Sequence, residues 1–331
     1  MNRIKLGLPK GSLNTRGRGN TQEVFIDAGY DIGGYEPGSE SDRSLTIAND
    51  AEIVAFLARP QSAPVELSRE LLDIAIIGED WVKEEGLSNG GNMVRRIGDL
   101  RYGGGRIVIA VPNEKPYESL SDFFRAEKDR IRPILCFTEY VNLTRQMFME
   151  NEAYREIYGG SKPLVQVRGL VDGENRQVQI INSDGVTEGY IAKGADLVVD
   201  ITQSGRAIKE YGLRELEQMM ETSAGLFAGP GCVDWKERKA NEIFEQLYGA
   251  IASKRFFDVK FNVSNQNLEK VREYLIADGL CSDEPTVNKG ESFSAINILI
   301  PKDRFPQVLR TLRGDYNASA IVRNEVKQFI E

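Results

Sequence analysis

One segment in the second half of the chain brings together residue types that can hold a sugar phosphate. A short apolar run ends at the carboxylate of Asp200, and a helix pattern begins a few residues later. The loop and the first helical turn consist of Thr202, Gln203, Ser204, Gly205, Arg206, Ala207 and Ile208. Loop N–H groups before a helix attract a dianionic phosphate, glycine allows close approach, and a strand-end carboxylate accepts hydrogen bonds from a ribose diol. The segment alone is equally typical of an ordinary strand–turn–helix corner.

The composition limits the classes of protein to which the chain can belong. Its 331 residues predict two or three domains, and 41% hydrophobic with 28% charged residues is typical of a soluble globular protein. A net charge of -8 argues against a dedicated nucleic-acid binder, and no apolar run approaches the length of a membrane span. The three cysteines are far apart, which fits a reducing compartment. We expect a cytoplasmic protein with neither nucleic-acid nor membrane partners.

The chain contains no histidine. This excludes a Ser–His or Cys–His nucleophile within the chain, and it excludes a metal site with histidine ligands. Acid–base catalysis would fall to carboxylates, lysine or tyrosine. Mechanisms that need little proton transfer are therefore favoured.

Apolar runs alternate with helical patterns over most of the chain. Strands are predicted over residues 3–8, 73–78 and 107–111, and the alternation favours α/β domains with mainly parallel sheets. Three polar stretches, 30–44, 121–130 and 151–161, are predicted as loops or surface excursions.

The pattern changes from about Phe256 onward. Strands are predicted over 256–263, 286–287, 293–300 and 318–322, and helices over 265–276 and 303–313, with Ser264 as the cap of the first helix. The order β-α-β-β-α-β predicts a separate ferredoxin-like domain at the C-terminal end.

Six segments occur in the order found in one family. They are 8–13 (LPKGSL), 58–60 (ARP) with 72–80 (LDIAIIGED), 102–106 (YGGGR), 138–145 (TEYVNLTR), 185–188 (GVTE) and 200–213. Through them the chain resembles the long form of ATP phosphoribosyltransferase, the first enzyme of histidine biosynthesis. The resemblance implies an α/β fold with a two-lobed core like type II periplasmic binding proteins, plus a C-terminal ferredoxin-like (ACT-like) domain. Lobe one would comprise 1–101 with 223–254, lobe two 102–222, and the regulatory domain 255–331.

The resemblance also implies the positions of the substrates. Phosphoribosyl pyrophosphate (PRPP) would lie against Glu188, Asp200 and the residues from Thr202 to Ile208. ATP would bind at Lys10, Gly78, Asp80, Arg106, Thr138 and Tyr140. Adenine N1 would attack C1 of PRPP and expel pyrophosphate, with the catalytic cations Lys10, Arg59 and Arg106 and with Mg²⁺ held by Glu188 and Asp200. The implied effector is L-histidine at Asn262 and Thr286, in a homo-oligomer of two to six chains.

Four residues depart from the family pattern. Ser12 replaces an arginine, Val141 a proline, Gln203 an acidic residue and Ala207 a threonine in the phosphate loop. Loss of one hydroxyl contact costs about 0.5–1.5 kcal/mol where water and backbone donors compensate. The sequence thus leaves open a diverged non-catalytic regulatory or ligand-binding paralogue, or a phosphoribosyltransferase with another acceptor.

Overall fold

The computed structural model describes residues 3–15, 19–37, 44–88, 93–281 and 285–327. Its strands are β1 (Ile4–Pro9), β2 (Asn14–Thr15), β3 (Gly19–Asn20), β4 (Leu45–Ile47), β5 (Asp50–Ala58), β6 (Ile74–Gly78), β7 (Arg95–Asp99), β8 (Gly105–Pro112), β9 (Ile134–Thr138), β10 (Pro163–Val167), β11 (Leu170–Asp172), β12 (Asn175–Asn182), β13 (Leu197–Thr202), β14 (Leu213–Thr222), β15 (Ala224–Ala228), β16 (Phe256–Ser264), β17 (Thr286–Lys289), β18 (Phe293–Pro301) and β19 (Ser319–Glu325).

The helices are α1 (Thr21–Asp27), α2 (Ala63–Ser68), α3 (Glu79–Ser88), α4 (Leu120–Glu127), α5 (Val141–Glu150), α6 (Glu152–Tyr158), α7 (Arg206–Glu210), α8 (Trp235–Ser253), α9 (Leu268–Ala277) and α10 (Phe305–Gly314), with a 3-10 helix at Thr187–Lys193. The chain divides into a larger compact unit within 1–21 and 33–240 and a smaller one within 22–32 and 241–331. Within the described residues, no helix combines the length and apolar character of a membrane span.

The larger unit contains two sheets. The first has the order β4-β5-β1-β6-β15-β7, and the second has the order β11-β10-β12-β9-β13-β8-β14. In the first sheet β1 runs parallel to β5 and β6, and in the second β9 runs parallel to β12 and β13. Strands β1 and β6 are buried apolar runs, as expected for strands that are covered on both faces. The residues of each sheet agree with the predicted lobes, but the domain boundaries stay a prediction.

The prediction of mainly parallel sheets was wrong, because both sheets are mixed. Strand β15 pairs antiparallel with β6 and β7, and β8 pairs antiparallel with β13 and β14. The chain crosses to the second sheet between β7 and β8 and returns between β14 and β15. In each case the strand after the crossing, β8 or β15, runs against the parallel core. Alternation of elements along the sequence does not reveal such a return.

Two of the three polar stretches were wrongly predicted as surface excursions. Residues 121–130 lie largely in α4, which buries Leu120, Phe123 and Phe124 at helical spacing. Residues 151–161 contain α6, whose Tyr154 ring meets the edge of Phe124 at a centroid distance of 5.2 Å. Both helices therefore belong to the core of the second sheet, where their few apolar residues share one face. In the third stretch, residues 38–43 lie outside the described residues.

The smaller unit carries a four-stranded antiparallel sheet in the order β17-β18-β16-β19. Alternating residues of β16 and β18 are buried against α9 and α10, which confirms the predicted β-α-β-β-α-β domain. The expected cap at Ser264 was wrong. Helix α9 starts at Leu268, and Ser264 instead accepts the N–H of Asn267 through its carbonyl, which closes a turn before the helix.

A buried carboxylate joins the helices that flank the two sheets of the larger unit. Glu84 of α3 is 6% exposed and accepts N–H bonds from Asn142 at 2.8 Å and from Leu143 at 2.9 Å. These are orphan donors of the first turn of α5, whose own N-cap residue, Tyr140, gives no side-chain bond. Glu84 therefore caps α5 from the neighbouring helix.

We expect Glu84→Ala to destabilise the larger unit by about 1–3 kcal/mol, because it leaves buried N–H groups without an acceptor. Urea unfolding followed by circular dichroism measures the change. Glu150→Ala, which removes an exposed carboxylate from the opposite end of α5, is the matched control and should lie within about 0.5 kcal/mol of the wild type. Equal stability of the two variants would contradict the capping role of Glu84.

Candidate active site

A cavity of about 630 Å³ lies at the carboxyl ends of strands from both sheets of the larger unit. Lys10 follows β1, Arg59 follows β5, and Gly78 ends β6. On the other side, Tyr140 lies just beyond β9, and Ile201 is the penultimate residue of β13. Loops at the carboxyl ends of parallel strands are the usual ligand sites of open α/β sheets. The structure thus brings together residues that lie far apart in the sequence.

The buried carboxylate of Asp80 connects the two sheets at the base of this cavity. Asp80 is 2% exposed and accepts hydrogen bonds from the hydroxyls of Tyr140 and Thr222, each at 2.6 Å. Thr222 in turn accepts the N–H of Asp80 at 3.2 Å. A Cβ at Gly78 would stand 2.2 Å from this carboxylate, so glycine at that position preserves the network. Gly78 and Asp80 both line the cavity, and their contacts are structural; their place in an ATP site stays a prediction.

The aromatic ring of Tyr140 packs against Trp81. Their ring centroids are 4.6 Å apart, and Tyr140 is only 2% exposed. Burial, together with the charge of Asp80, raises the pKa of the Tyr140 phenol well above its ordinary value. Thr138 is fully buried, and its hydroxyl accepts the N–H of Tyr140 at 2.8 Å. Thr138 therefore shapes the turn that carries Tyr140.

The cations of the cavity stand on its rim. The backbone of Lys10 is fixed by an N–H bond to the carbonyl of Ala58 at 2.9 Å. Arg59 is exposed at the start of the turn that leads into α2. Two residues after Arg59, the side-chain amide of Gln61 donates to the carboxylate of Glu139 at 3.2 Å. Lys10 and Arg59 thus present positive charge to an anionic ligand in the cavity.

The predicted phosphate loop begins directly beyond the cavity wall. Ile201 lines the cavity, while its neighbour Asp200 accepts the N–H of Ile201 at 2.7 Å and lies near enough to Glu188 for the two carboxyl groups to interact. Burial raises the pKa of Asp200 to about 7, and the charge of Glu188 adds to the shift. A cation bound beside Asp200 would lower this pKa again, because it favours the ionised carboxylate.

The predicted phosphate loop is held by a hydrogen bond to the hydroxyl of one of its own residues, Thr202. Gly205 has a φ of +70° and donates its N–H to the hydroxyl of Thr202 at 2.9 Å, which makes a tight turn before α7. Gln203 and Ser204 are exposed, and Ile208 is buried beneath the loop. Of the other two residues of the loop, Ala207 is half-buried, and Arg206 is exposed and forms an ion pair with Glu210.

Arg106, which we predicted as a catalytic and ATP-binding residue, pairs with Glu215 of β14. Both terminal nitrogens of its guanidinium bond to the carboxylate, with 2.9 Å between Nη2 and Oε1. This pairing raises the pKa of Arg106 further. Arg106 lies opposite Thr202 in the β8–β13 register, next to the predicted phosphate loop. It does not line the cavity that holds Lys10 and Arg59.

The two predicted effector residues lie on one face of the sheet of the smaller unit. Asn262 of β16 pairs with Ala295 of β18, and Ala295 pairs in turn with Asn288 of β17. Thr286 lies two residues before Asn288 in the same strand. Directly opposite residues point to the same face, and so do residues two apart in a strand. Thr286 is exposed and Asn262 is half-buried.

Sequence reasoning missed several residues that shape the site. They are Gln61, Trp81, Glu84, Glu139, Glu215 and Thr222. Trp81 and Glu139 lie inside or beside the quoted motifs and could have been found there. Glu215 and Thr222 stand in a strand without a local motif, and their partners are more than 100 residues away. No local pattern predicts contacts at that separation.

The chain is similar to proteins of one family. A family model described as HisG, ATP phosphoribosyltransferase, matches residues 59–249. An ATP phosphoribosyltransferase of Thermodesulfovibrio yellowstonii is 28% identical, over 99% of this chain and 98% of the relative. One of Koribacter versatilis is 29% identical, over 99% of both chains.

A solved structure shares the fold. The ATP phosphoribosyl transferase (HisG:HisZ) complex from Thermotoga maritima is 22% identical, with a TM-score of 0.52, over 75% of this chain and 98% of that chain. The two-lobed α/β core and the additional C-terminal domain agree with the fold class that the sequence predicted. Because the family model covers more than half of the chain, the chain belongs to the HisG family of ATP phosphoribosyltransferases.

Proposed function

We propose that the chain transfers the phosphoribosyl group of PRPP to N1 of ATP in the cavity between Lys10, Arg59 and Ile201. The products are N1-(5-phosphoribosyl)-ATP and pyrophosphate, and the reaction is the first step of histidine biosynthesis. The observation that carries the proposal is the position of this cavity. It collects two cations at the carboxyl ends of parallel strands and adjoins Asp200 and the phosphate loop.

PRPP binds along the end of β13. Asp200 and Glu188 accept hydrogen bonds from the ribose hydroxyls, and the loop from Thr202 to Ile208 surrounds the 5′-phosphate. The left-handed conformation of Gly205 and the absence of a side chain there support this placement. The pyrophosphate group then extends toward Lys10 and Arg59, whose charges stabilise it as it departs.

ATP occupies the opposite part of the cavity. Asp80, Gly78 and Thr138 hold the walls in position through the contacts described above, and Tyr140 with Trp81 supplies an apolar surface for the base. Lys10 neutralises phosphate charge of ATP, whereas Arg106, outside the cavity and beside the phosphate loop, is placed to meet a phosphate of PRPP. Adenine N1 carries no proton to remove, so a site without histidine can align the two substrates without a general base.

A magnesium ion fits the carboxyl pair Glu188 and Asp200. Mg²⁺ binds through one or two carboxylates plus substrate phosphates and keeps several waters. When bound, the ion supplies positive charge to the leaving pyrophosphate.

Purified protein incubated with ATP, PRPP and Mg²⁺ should form phosphoribosyl-ATP, which mass spectrometry identifies. Asp200→Asn should lower kcat/KM by about 10- to 100-fold, because it removes a charged acceptor from the ribose. The control Asp184→Asn changes an exposed carboxylate and should leave the activity unchanged. Binding of both substrates without any product would favour a non-catalytic paralogue, and a product from another nucleotide alone would favour another acceptor.

The pKa of Asp200, about 7, predicts the pH dependence of PRPP use. The ionised carboxylate is the form that binds Mg²⁺ and accepts ribose hydroxyls, so kcat/KM for PRPP should rise with pH up to about 7 and then level off. Glu188→Gln should move this inflection to lower pH because it removes the neighbouring charge. An inflection that stays at about pH 7 in Glu188→Gln would contradict the coupling.

The raised pKa of Asp200 also affects the stability of the folded chain. Because the folded-state pKa of Asp200 lies above the unfolded value of about 3.9, its protonated form favours the folded state. That contribution is complete below about pH 4 and is lost as the pH rises through about 7. Asp200→Asn should therefore raise the thermal midpoint at pH 8, which shows that its loss of activity is not a loss of folding.

We further propose that L-histidine binds the smaller unit at Asn262 and Thr286 and inhibits a homo-oligomer of two to six chains. The two residues lie two strands apart on one face, about 10 Å across the sheet. An amino acid with polar groups at both ends can bridge this span. Inhibition requires that histidine binds one state of the oligomer better than another.

Calorimetry of the intact chain with L-histidine tests the effector site. We expect Asn262→Ala and Thr286→Val each to weaken histidine binding by about fivefold, because each removes one hydrogen bond. Asn324→Ala, on the edge strand β19, is the control. An active enzyme that shows no binding at millimolar histidine would indicate that this unit assembles subunits or senses another metabolite.

A further inference from the structure

Arg106 and Glu215 form a paired group beside the predicted phosphate loop. The guanidinium and the carboxylate meet through two parallel hydrogen bonds, and the two side chains are 30% and 29% exposed. Among the described residues, Glu215 is the only side chain whose hydrogen bond to Arg106 is resolved. Since a guanidinium has five N–H donors, the pair uses only part of the capacity of Arg106.

The carboxylate of Glu215 also stands against Gly205. A Cβ at Gly205 would lie 2.8 Å from Oε1 of Glu215 and 3.9 Å from Nη2 of Arg106. The missing side chain therefore leaves room for an anionic group, and that room is filled by a carboxylate of the chain itself. The N–H of Gly205 points elsewhere, to Thr202.

The position beside Gly205 and Arg106 suits either a carboxylate or a phosphate. Arginine binds both anions with the same pair of parallel N–H bonds. A phosphate that approached Gly205 and this edge of Arg106 would meet the charge of Glu215 at a few ångströms and be repelled. The ion pair is partly exposed to water, and pairs of this kind are weak enough for a dianionic ligand to replace.

We propose that Glu215 is an internal stand-in for the phosphate of PRPP, which displaces it from Arg106 and from Gly205 when the substrate binds. This inference rests on the proposed position of PRPP at the loop from Thr202 to Ile208. In the free enzyme Glu215 neutralises Arg106 and keeps simple anions out of the loop. A phosphorylated ribose that also reaches Asp200 gains the additional contacts needed to replace the carboxylate.

Calorimetry with Mg²⁺–PRPP, and separately with inorganic phosphate, tests this role in Glu215→Gln. The amide keeps the shape and a hydrogen bond but loses the charge, so PRPP should bind about tenfold tighter, equivalent to about 1.4 kcal/mol. Binding of inorganic phosphate should become measurable or stronger by a similar factor. Glu217→Gln makes the same charge change two residues along β14, where an amide can still accept the N–H of Leu120, and it should stay within about twofold of the wild type.

Glu215→Asp provides a second variant that keeps the charge but shortens the side chain. It should bind PRPP with an affinity between those of the wild type and Glu215→Gln, and it replaces Glu215→Gln in the test if that variant does not fold. Unchanged or weaker PRPP binding in the folded variants, with normal binding by the wild type, would overturn the stand-in role and leave the proposed function intact. A wild type that does not bind PRPP would overturn both.

Discussion

The cavity depends on one buried carboxylate, Asp80, that holds three elements together. Its two oxygens accept the hydroxyls of Tyr140 and Thr222, and its N–H bonds back to Thr222. The partners belong to the start of α3, the loop before α5 and the end of β14. A buried charge is stable only when its hydrogen bonds are satisfied, so these three elements are constrained to one arrangement. Gly78 is required nearby because any side chain would collide with that carboxylate.

This constraint determines where the cations and the phosphate loop stand relative to each other. With the base of the cavity fixed, the strand ends before Lys10 and Arg59 face the end of β13 at Ile201. Glu84 reinforces the same side of the cavity by capping α5. We propose that the site supplies alignment and charge rather than proton transfer, which suits a chain without histidine.

Local patterns predicted the elements that have strong periodicity and the family to which the chain belongs. The buried strands β1, β6 and β8 and the β-α-β-β-α-β domain follow directly from apolar runs and their order. Helices α4 and α6 were missed because charged residues outnumber the few aromatic residues of their buried faces. The partners of Asp80 lie 60 and 142 residues away in the sequence, and the partner of Glu215 lies 109 residues away. Such pairings are set by the packing of the sheets.

A crystal structure of the enzyme with Mg²⁺ and PRPP tests the central claim most directly, namely that PRPP binds in the cavity beside the end of β13. We predict the 5′-phosphate against Gly205, the ribose hydroxyls at Asp200 and Glu188, and the pyrophosphate directed toward Lys10 and Arg59. The Asp80 contacts with Tyr140 and Thr222 should be retained. PRPP bound away from the loop at 202–208, or a cavity rebuilt by loss of the Asp80 network, would contradict the account.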